Sequence, residues 1–191
     1  MPLLVGRRAP DFVAPGVLAS GVMVNRIHLH TAIQGRYALL FFNPLALTYA
    51  CASQLPALSR RIREFWSRDV EVLGVTLDAA HQHSIWRNVA VDHLPKLSFS
   101  LVVDTRRCIC PDYGLAIAGG AFAHRGIFLI DLCGVVRYQA INDLPLGSES
   151  IMPCEWSMYC RLRTTRALGR PLSLRFLAVT VALVRPGQCT G

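Results

Sequence analysis

The stretch Tyr37-Ala-Leu-Leu-Phe-Phe-Asn-Pro-Leu-Ala-Leu-Thr-Tyr-Ala-Cys51 contains the pattern that decides the fold of this chain. Its first six residues are a continuous apolar run of strand length, which predicts a central β-strand buried on both faces. The run stops at Asn43-Pro44, because proline cannot donate a backbone hydrogen bond. Downstream, apolar residues recur at intervals of three and four, which predicts a helix over residues 53–65.

Strand-like and helix-like segments alternate along the rest of the first three quarters of the chain. Strands are predicted over residues 70–76, 97–103, 126–131 and 135–140, and helices over residues 81–88 and 106–113. A short turn joins the last two strands into a hairpin. The alternation predicts an α/β fold with a central mixed β-sheet flanked by helices, in which the hairpin supplies antiparallel pairing.

The composition restricts the class of protein. The chain has 191 residues, of which 52% are hydrophobic and 17% charged, so it is neither disordered nor collagen-like. No apolar run reaches the ~18 residues that cross a bilayer, and the first residues lack a secretory pattern. We therefore expect a cytoplasmic protein that does not bind membranes. The net charge is +8, but no basic run or basic-aromatic motif accompanies it, so we expect no nucleic-acid partner.

The seven cysteines do not form a recognisable framework. Their odd number and the absence of Cys-x-x-Cys argue against a disulfide scaffold, a thioredoxin-type motif and a zinc knuckle. Cys108-x-Cys110 has no further ligands at a recognisable spacing, so we predict no metal site and no cofactor. Most of the seven are expected to be buried as small apolar residues.

Cys51 has the surroundings of a reactive thiol. A helix N-terminus presents free N–H groups and a positive partial charge, which favour the thiolate. Thr48 places a hydroxyl near the sulfur, and Pro44 has no N–H that competes for it. An arginine from elsewhere in the chain would complete such a site by holding the thiolate and polarising an incoming oxygen.

The spacing Pro44-x-x-x-Thr48-x-x-Cys51 resembles the active-site pattern of the peroxiredoxins, thiol peroxidases with a thioredoxin-like fold. The resemblance covers residues 3–147 and is greatest to the typical two-cysteine subgroup. Further segments that match in order and spacing are Leu4-Val-Gly6, Ala9-Pro-Asp-Phe12, Val70-Glu-Val-Leu-Gly-Val75, Trp86-Arg-Asn88, Leu101-Val-Val-Asp104, Arg125-Gly-Ile-Phe-Leu-Ile-Asp131, Gly134-Val-Val-Arg137 and Asn142-Asp-Leu-Pro-Leu-Gly147.

The resemblance implies a role for each site residue. Cys51 would be the peroxidatic cysteine, which becomes a sulfenic acid when it reduces hydrogen peroxide or an organic hydroperoxide. Thr48 and Arg125 would position the peroxide and stabilise charge, and Pro44 would shield the sulfenic acid. Electrons would come from thioredoxin or another thiol. The resemblance also implies a homodimer, with a decamer as the larger assembly.

The chain departs from the family after Gly147. Residues 1–147 are predicted to be the thioredoxin-like peroxiredoxin domain, and residues 148–191 a divergent or frameshifted C-terminal tail. The usual resolving cysteine is absent from the tail, so this role stays unknown, with Cys154, Cys160 and Cys189 as candidates. The altered segment Ala52-Ser53-Gln54 and the basic tail leave an alternative open, a catalytically weak relative that acts as a chaperone or interaction protein.

Overall fold

A computed structural model of the chain describes residues 2–33, 35–43, 55, 58–77, 97–117 and 123–142. In this part of the chain seven strands form one sheet, with three short helices beside it. The strands are β1 (Val13–Val17), β2 (Met23–His28), β3 (Tyr37–Phe42), β4 (Val70–Thr76), β5 (Ser100–Val103), β6 (Arg125–Ile130) and β7 (Val136–Asn142), and the helices are α1 (Leu29–Ala32), α2 (Ile62–Trp66) and α3 (Ile109–Asp112).

The sheet is mixed, as the sequence predicts. Its strand order is β2-β1-β5-β4-β3-β6-β7. The neighbours β3, β4 and β5 run parallel, whereas β6 runs antiparallel to both β3 and β7, and β1 antiparallel to both β2 and β5. Strand β3 therefore lies between a parallel and an antiparallel neighbour, and five of its six residues are buried. The predicted central position of this strand is confirmed.

Two predicted elements are shorter in the structure. The strand expected over residues 97–103 is paired only from Ser100 to Val103. The helix expected over residues 106–113 is reduced to α3 because Arg107 has a φ of 53°, a left-handed conformation that a helix cannot include. Within the helix predicted over residues 53–65, residues 58–60 and α2 are helical, and the apolar positions that indicated it are buried.

The hairpin β1–β2 and helix α1 are not predicted from the sequence. Strand β1 contains Pro15 and Gly16, which both lower strand propensity. Gly16 pairs with Val102 of β5, and a Cβ at position 16 would collide with the backbone carbonyl oxygen of Leu101. A residue that weakens strand prediction is therefore the one that lets β1 approach β5 closely.

An aromatic cluster in the core supports the end of β3. The ring of Phe42 lies 4.9 Å from the ring of Tyr113 and 5.5 Å from that of Phe128, measured between centroids. The Tyr113 hydroxyl donates a hydrogen bond to the carbonyl oxygen of Pro10 at 2.8 Å. These contacts hold the carboxyl end of β3 in a fixed place. No helix among the described residues has the length and apolar character needed to span a membrane.

Candidate active site

Buried polar side chains collect at one edge of the sheet. Strands β3, β4 and β5 are parallel and end at this edge, and the antiparallel β6 begins there. Asn43, Thr76, Asp104 and Arg125 stand at these strand ends, and each is at most 8% exposed. Buried polar groups in native proteins are hydrogen-bonded, so the partners of these side chains determine the arrangement at this edge of the sheet. We call these four residues the polar edge.

Arg125 is held at the polar edge by Asn43. Phe42 pairs with Gly126 across the sheet, which brings the following residue, Asn43, next to Arg125. The Arg125 Nη1 donates a hydrogen bond to Asn43 Oδ1 at 3.2 Å, and the backbone N–H of Asn43 donates to the carbonyl oxygen of Val75 at 2.8 Å. Since a guanidinium does not lose its proton in proteins, the edge carries a positive charge of fixed orientation.

Asp104 organises the opposite side of the polar edge. Its two carboxylate oxygens accept the backbone N–H groups of Cys108 and Cys110, each at 3.0 Å. Burial, together with the charge of Asp104, raises the pKa of the Cys110 thiol to about 12. Cys110 therefore stays protonated at neutral pH and is unsuited to act as a nucleophile. Cys108 and Cys133 are exposed, unlike the buried cysteines expected from the sequence.

Among the predicted site residues, Arg125 is the one the structure describes, and it lies beside the residue that directly precedes Pro44 in the sequence. Pro44, Thr48 and Cys51 lie outside the described residues. The candidate resolving cysteines, Cys154, Cys160 and Cys189, also lie outside them, as do the whole predicted tail and the helix predicted over residues 81–88.

One polar residue and one polar cluster were missed by reasoning from the sequence. The first is Asn43, whose signal is an amide side chain that directly ends a buried apolar strand. The second is a cluster of Asp11, His28 and His30, which the structure brings together. The spacing of two between the histidines is visible in the sequence, but their closeness to Asp11 depends on the unpredicted hairpin.

The mixed sheet and its flanking helices define an α/β protein with a thioredoxin-like fold, and solved peroxiredoxins share this architecture. The structure superimposes on the mitochondrial 2-Cys peroxiredoxin from Plasmodium falciparum with a TM-score of 0.78 and 28% identity, covering 88% of this chain and 99% of that one. Reduced 2-Cys peroxiredoxin from Plasmodium vivax gives a TM-score of 0.77 at 25% identity, over 86% of this chain and 99% of that one.

Sequence comparison identifies the family. A profile of the AhpC/TSA family matches residues 5–139. Alkyl hydroperoxide reductase C of Helicobacter pylori is 35% identical over 150 residues, which are 78% of this chain and 75% of that protein. Peroxiredoxin-1 of Gallus gallus is 37% identical over 145 residues, or 75% and 72% of the two chains. The chain belongs to the AhpC/TSA family of peroxiredoxins, and the resemblance drawn from its motifs is confirmed.

Proposed function

We propose that this chain is a thiol-dependent peroxidase that reduces hydrogen peroxide and organic hydroperoxides through Cys51. The observation that carries the proposal is the buried guanidinium of Arg125, which Asn43 fixes beside the point where the Pro44-to-Cys51 motif begins. Membership of the AhpC/TSA family supports it, since the relatives include proteins named alkyl hydroperoxide reductase and peroxiredoxin.

The proposed reaction is a nucleophilic substitution at oxygen. The Cys51 thiolate attacks the outer oxygen of the peroxide, so that an S–O bond forms while the O–O bond breaks. The other oxygen leaves with the electron pair and takes up a proton to become water or an alcohol. Sulfur loses two electrons and becomes a sulfenic acid. Pro44 is proposed to shield that product.

Arg125 is proposed to lower the barrier of this step. Negative charge moves from the thiolate to the departing oxygen, and a guanidinium that is already oriented stabilises that charge without reorganising. The low exposure of Arg125 strengthens the interaction, because little water screens it. Thr48 is proposed to hydrogen-bond the peroxide and hold it in line with the sulfur.

The sulfenic acid is proposed to return to the thiol in two steps. A thiol attacks the sulfenic sulfur and releases water, which leaves a disulfide. Two thiols of the reductant then reduce that disulfide through a mixed disulfide, and the reductant leaves as a disulfide itself. We propose thioredoxin or another thiol as the electron donor. The first thiol is supplied by Cys154, Cys160 or Cys189 in a two-cysteine cycle, and by the external reductant in a one-cysteine cycle.

Stoichiometric oxidation tests the proposal. Purified reduced protein is mixed with one equivalent of hydrogen peroxide, and peroxide consumption and the oxidation of Cys51 are followed together. Fast consumption is expected in the wild type and in Cys133→Ser, a control that removes an exposed thiol, and is expected to vanish in Cys51→Ser. Consumption no faster than that of free cysteine would refute the proposal and favour the chaperone alternative, which no comparison supports.

The same samples identify the resolving thiol. Mass spectrometry of the peroxide-treated protein is expected to show either a disulfide that links Cys51 to one tail cysteine or a sulfenic acid on Cys51. A disulfide to Cys154, Cys160 or Cys189 indicates a two-cysteine cycle within the protein. A sulfenic or sulfinic acid without any such disulfide excludes these three residues from the resolving role.

We propose that the protein assembles as a homodimer and, beyond that, as a decamer. In the described part of the chain β7 is the last strand of the sheet, so one of its sides carries no strand partner there. Such an edge offers backbone N–H and C=O groups to the same strand of a second copy. Light scattering of the purified protein is expected to give twice or ten times the mass of 21.1 kDa, and a monomer would contradict the proposal.

We propose that the protein works in the cytoplasm. Cys108, Cys110 and Cys133 are free thiols in the structure, which fits a compartment where glutathione and thioredoxin keep thiols reduced. Cell fractionation tests this location, and recovery of the protein from an oxidising compartment would contradict it.

A further inference from the structure

The cluster of Asp11, His28 and His30 has the composition of a metal site. We propose that these three residues bind a divalent first-row transition metal ion, with Zn²⁺ as the representative. One donor atom of each side chain lies within 4.8 Å of the other two. The proposal is independent of the peroxidase reaction, which uses none of these residues.

One carboxylate oxygen faces both imidazoles. Asp11 Oδ2 lies 2.6 Å from His28 Nε2 and 3.1 Å from His30 Nδ1. Zinc bonds of ~2.0–2.1 Å in a tetrahedral arrangement separate neighbouring donor atoms by about 3.3 Å. Side-chain adjustments of about 1 Å therefore allow an ion to replace the hydrogen bonds that now join the three groups.

The backbone holds the three side chains in this arrangement. Leu29 is fully buried between the two histidines, which places His28 and His30 together on the outer side. The N–H of Leu29 donates to the carbonyl oxygen of Phe12 at 3.1 Å, and the N–H of His30 donates to Asp11 Oδ1 at 3.3 Å. Asp11 is thus fixed through Oδ1 while its Oδ2 faces the imidazoles, which is the preorganisation a ligand site requires.

Each histidine presents one defined nitrogen. His28 Nε2 donates a hydrogen bond to Asp11 Oδ2, which can only accept, and its Nδ1 lies 2.9 Å from Thr31 Oγ1. A metal ion bound at Nε2 takes the place of that proton, and Thr31 Oγ1 then accepts the Nδ1–H. The Nε2 of His30 is buried without a hydrogen-bond partner among the described residues, on the side of the ring toward Gly134, and Nδ1 is the nitrogen that faces Asp11. Two imidazoles and one carboxylate select Zn²⁺, Ni²⁺, Co²⁺ or Fe²⁺, whereas Mg²⁺ and Ca²⁺ prefer oxygen ligands.

The proposed metal site is separate from the polar edge. Gly134, which His30 contacts, follows the carboxyl end of β6, whereas Arg125 is the first residue of that strand. A six-residue strand spans about 17 Å. The ion is therefore proposed to fasten the segment before β1 to the end of β2 and to α1, and to leave the peroxide reaction unchanged.

Histidine ring spectroscopy with Zn²⁺ tests the proposal directly on the full-length reduced protein. Long-range ¹H–¹⁵N spectra are expected to show coordination shifts at Nε2 of His28 and Nδ1 of His30 as one equivalent of Zn²⁺ is added. Zinc bound only to cysteine thiols does not shift these nitrogens, and His124 serves as an internal reference. Absence of shifts at both histidines would overturn the proposal without any variant.

Matched variants then test each contact by calorimetry with Zn²⁺. Asp11→Asn keeps the shape of the side chain, Thr31→Val keeps its size, and each is expected to weaken zinc binding by about tenfold or more. A hundredfold excess of Zn²⁺ over its Kd is expected to raise the wild-type Tm by roughly 5–10 °C. Equal affinities in the wild type and in both variants would refute the site. Peroxide consumption by these variants is expected to equal that of the wild type. A result that refutes the metal site therefore leaves the peroxidase proposal untouched, and the reverse also holds.

Discussion

Replacing Asn43 by alanine tests whether the orientation of Arg125 matters for the proposed reaction. The substitution removes the amide oxygen that accepts the hydrogen bond from Arg125 Nη1, while the backbone bond from residue 43 to Val75 remains possible. The expected result is a slower oxidation of Cys51, because the guanidinium is no longer held in the position from which we propose that it stabilises the departing oxygen.

The size of the effect follows from the geometry of the contact. Hydrogen bonds to charged groups contribute about 1.5–3 kcal/mol. The distance of 3.2 Å between Arg125 Nη1 and Asn43 Oδ1 lies at the long end of the N–H···O range, so about 1.5 kcal/mol is the better value. The bond exists in the free protein, so kcat/KM falls only as far as the transition state loses more than the free protein does, and a further loss of about 1.5 kcal/mol corresponds to a fall of about tenfold. The Tm is expected to fall by roughly 3–6 °C.

Asn142 provides the matched control for this measurement. It pairs with Arg125 through the backbone of β7, on the side opposite to β3, and it is only half-buried. Asn142→Ala therefore removes the same kind of side chain beside the same arginine, without removing the acceptor at Asn43. The expected kcat/KM of Asn142→Ala equals that of the wild type, measured with hydrogen peroxide and a thiol reductant in excess.

A double-mutant cycle separates orientation from general destabilisation. Arg125→Lys keeps a positive charge but loses the planar group that Asn43 orients. The effects of Asn43→Ala and Arg125→Lys on kcat/KM are expected to be clearly less than additive, because both break the same contact. Additive effects, or an Asn43→Ala variant that loses Tm but keeps kcat/KM within about twofold, would refute the reasoning.

Two other described side chains give predictions about thiol reactivity and acid stability. Because burial raises the pKa of Cys110 to about 12, iodoacetamide at pH 8 is expected to label the exposed Cys108 at least ~10 times faster, and equal labelling in the native protein would contradict this. Burial tends to raise the pKa of Asp131, but the N–H of Val135 and the side chain of Arg137 outweigh it and hold that pKa below its usual value. The ionised carboxylate therefore stabilises the fold fully above the unfolded pKa of about 3.9, and this stabilisation is lost as the pH falls through the folded pKa. In urea unfolding, we expect the wild type to be more stable than Asp131→Asn at pH 7, and we expect this difference to shrink below about pH 4. A difference that does not change with pH would exclude this role.

The strands that were predicted with the correct bounds are the central ones, whose apolar residues alone indicate a buried strand. Strands β3 and β4 have the predicted bounds, residues 37–42 and 70–76, because both are mostly apolar, are almost entirely buried and lie in the middle of the sheet. Strand β2 was missed because it is an edge strand in which half of the residues are polar and half are exposed, with no apolar pattern to indicate it. For such a strand the pairing partner, rather than the local sequence, decides the structure.

Site residues that belong to a local sequence motif could be predicted, whereas contacts between residues far apart in the sequence could not. Arg125 was predicted as a site residue from its place before the strand Gly-Ile-Phe-Leu-Ile-Asp, and the structure places it, buried, beside Asn43. Asn43 was missed because its importance arises from a contact across 82 residues, which only the antiparallel pairing of β3 and β6 creates. The cluster of Asp11 and His28 depends in the same way on the β1–β2 hairpin.

The chemistry of residue 43 also explains how this chain can orient a buried arginine. Asn43 supplies an oxygen acceptor to Arg125 and adds no counter-charge of its own. A carboxylate at the same place would orient the guanidinium and also offset its charge, which would weaken its pull on the departing oxygen. A neutral acceptor at the end of β3 therefore orients the arginine without itself offsetting the charge on which the proposed role of Arg125 depends.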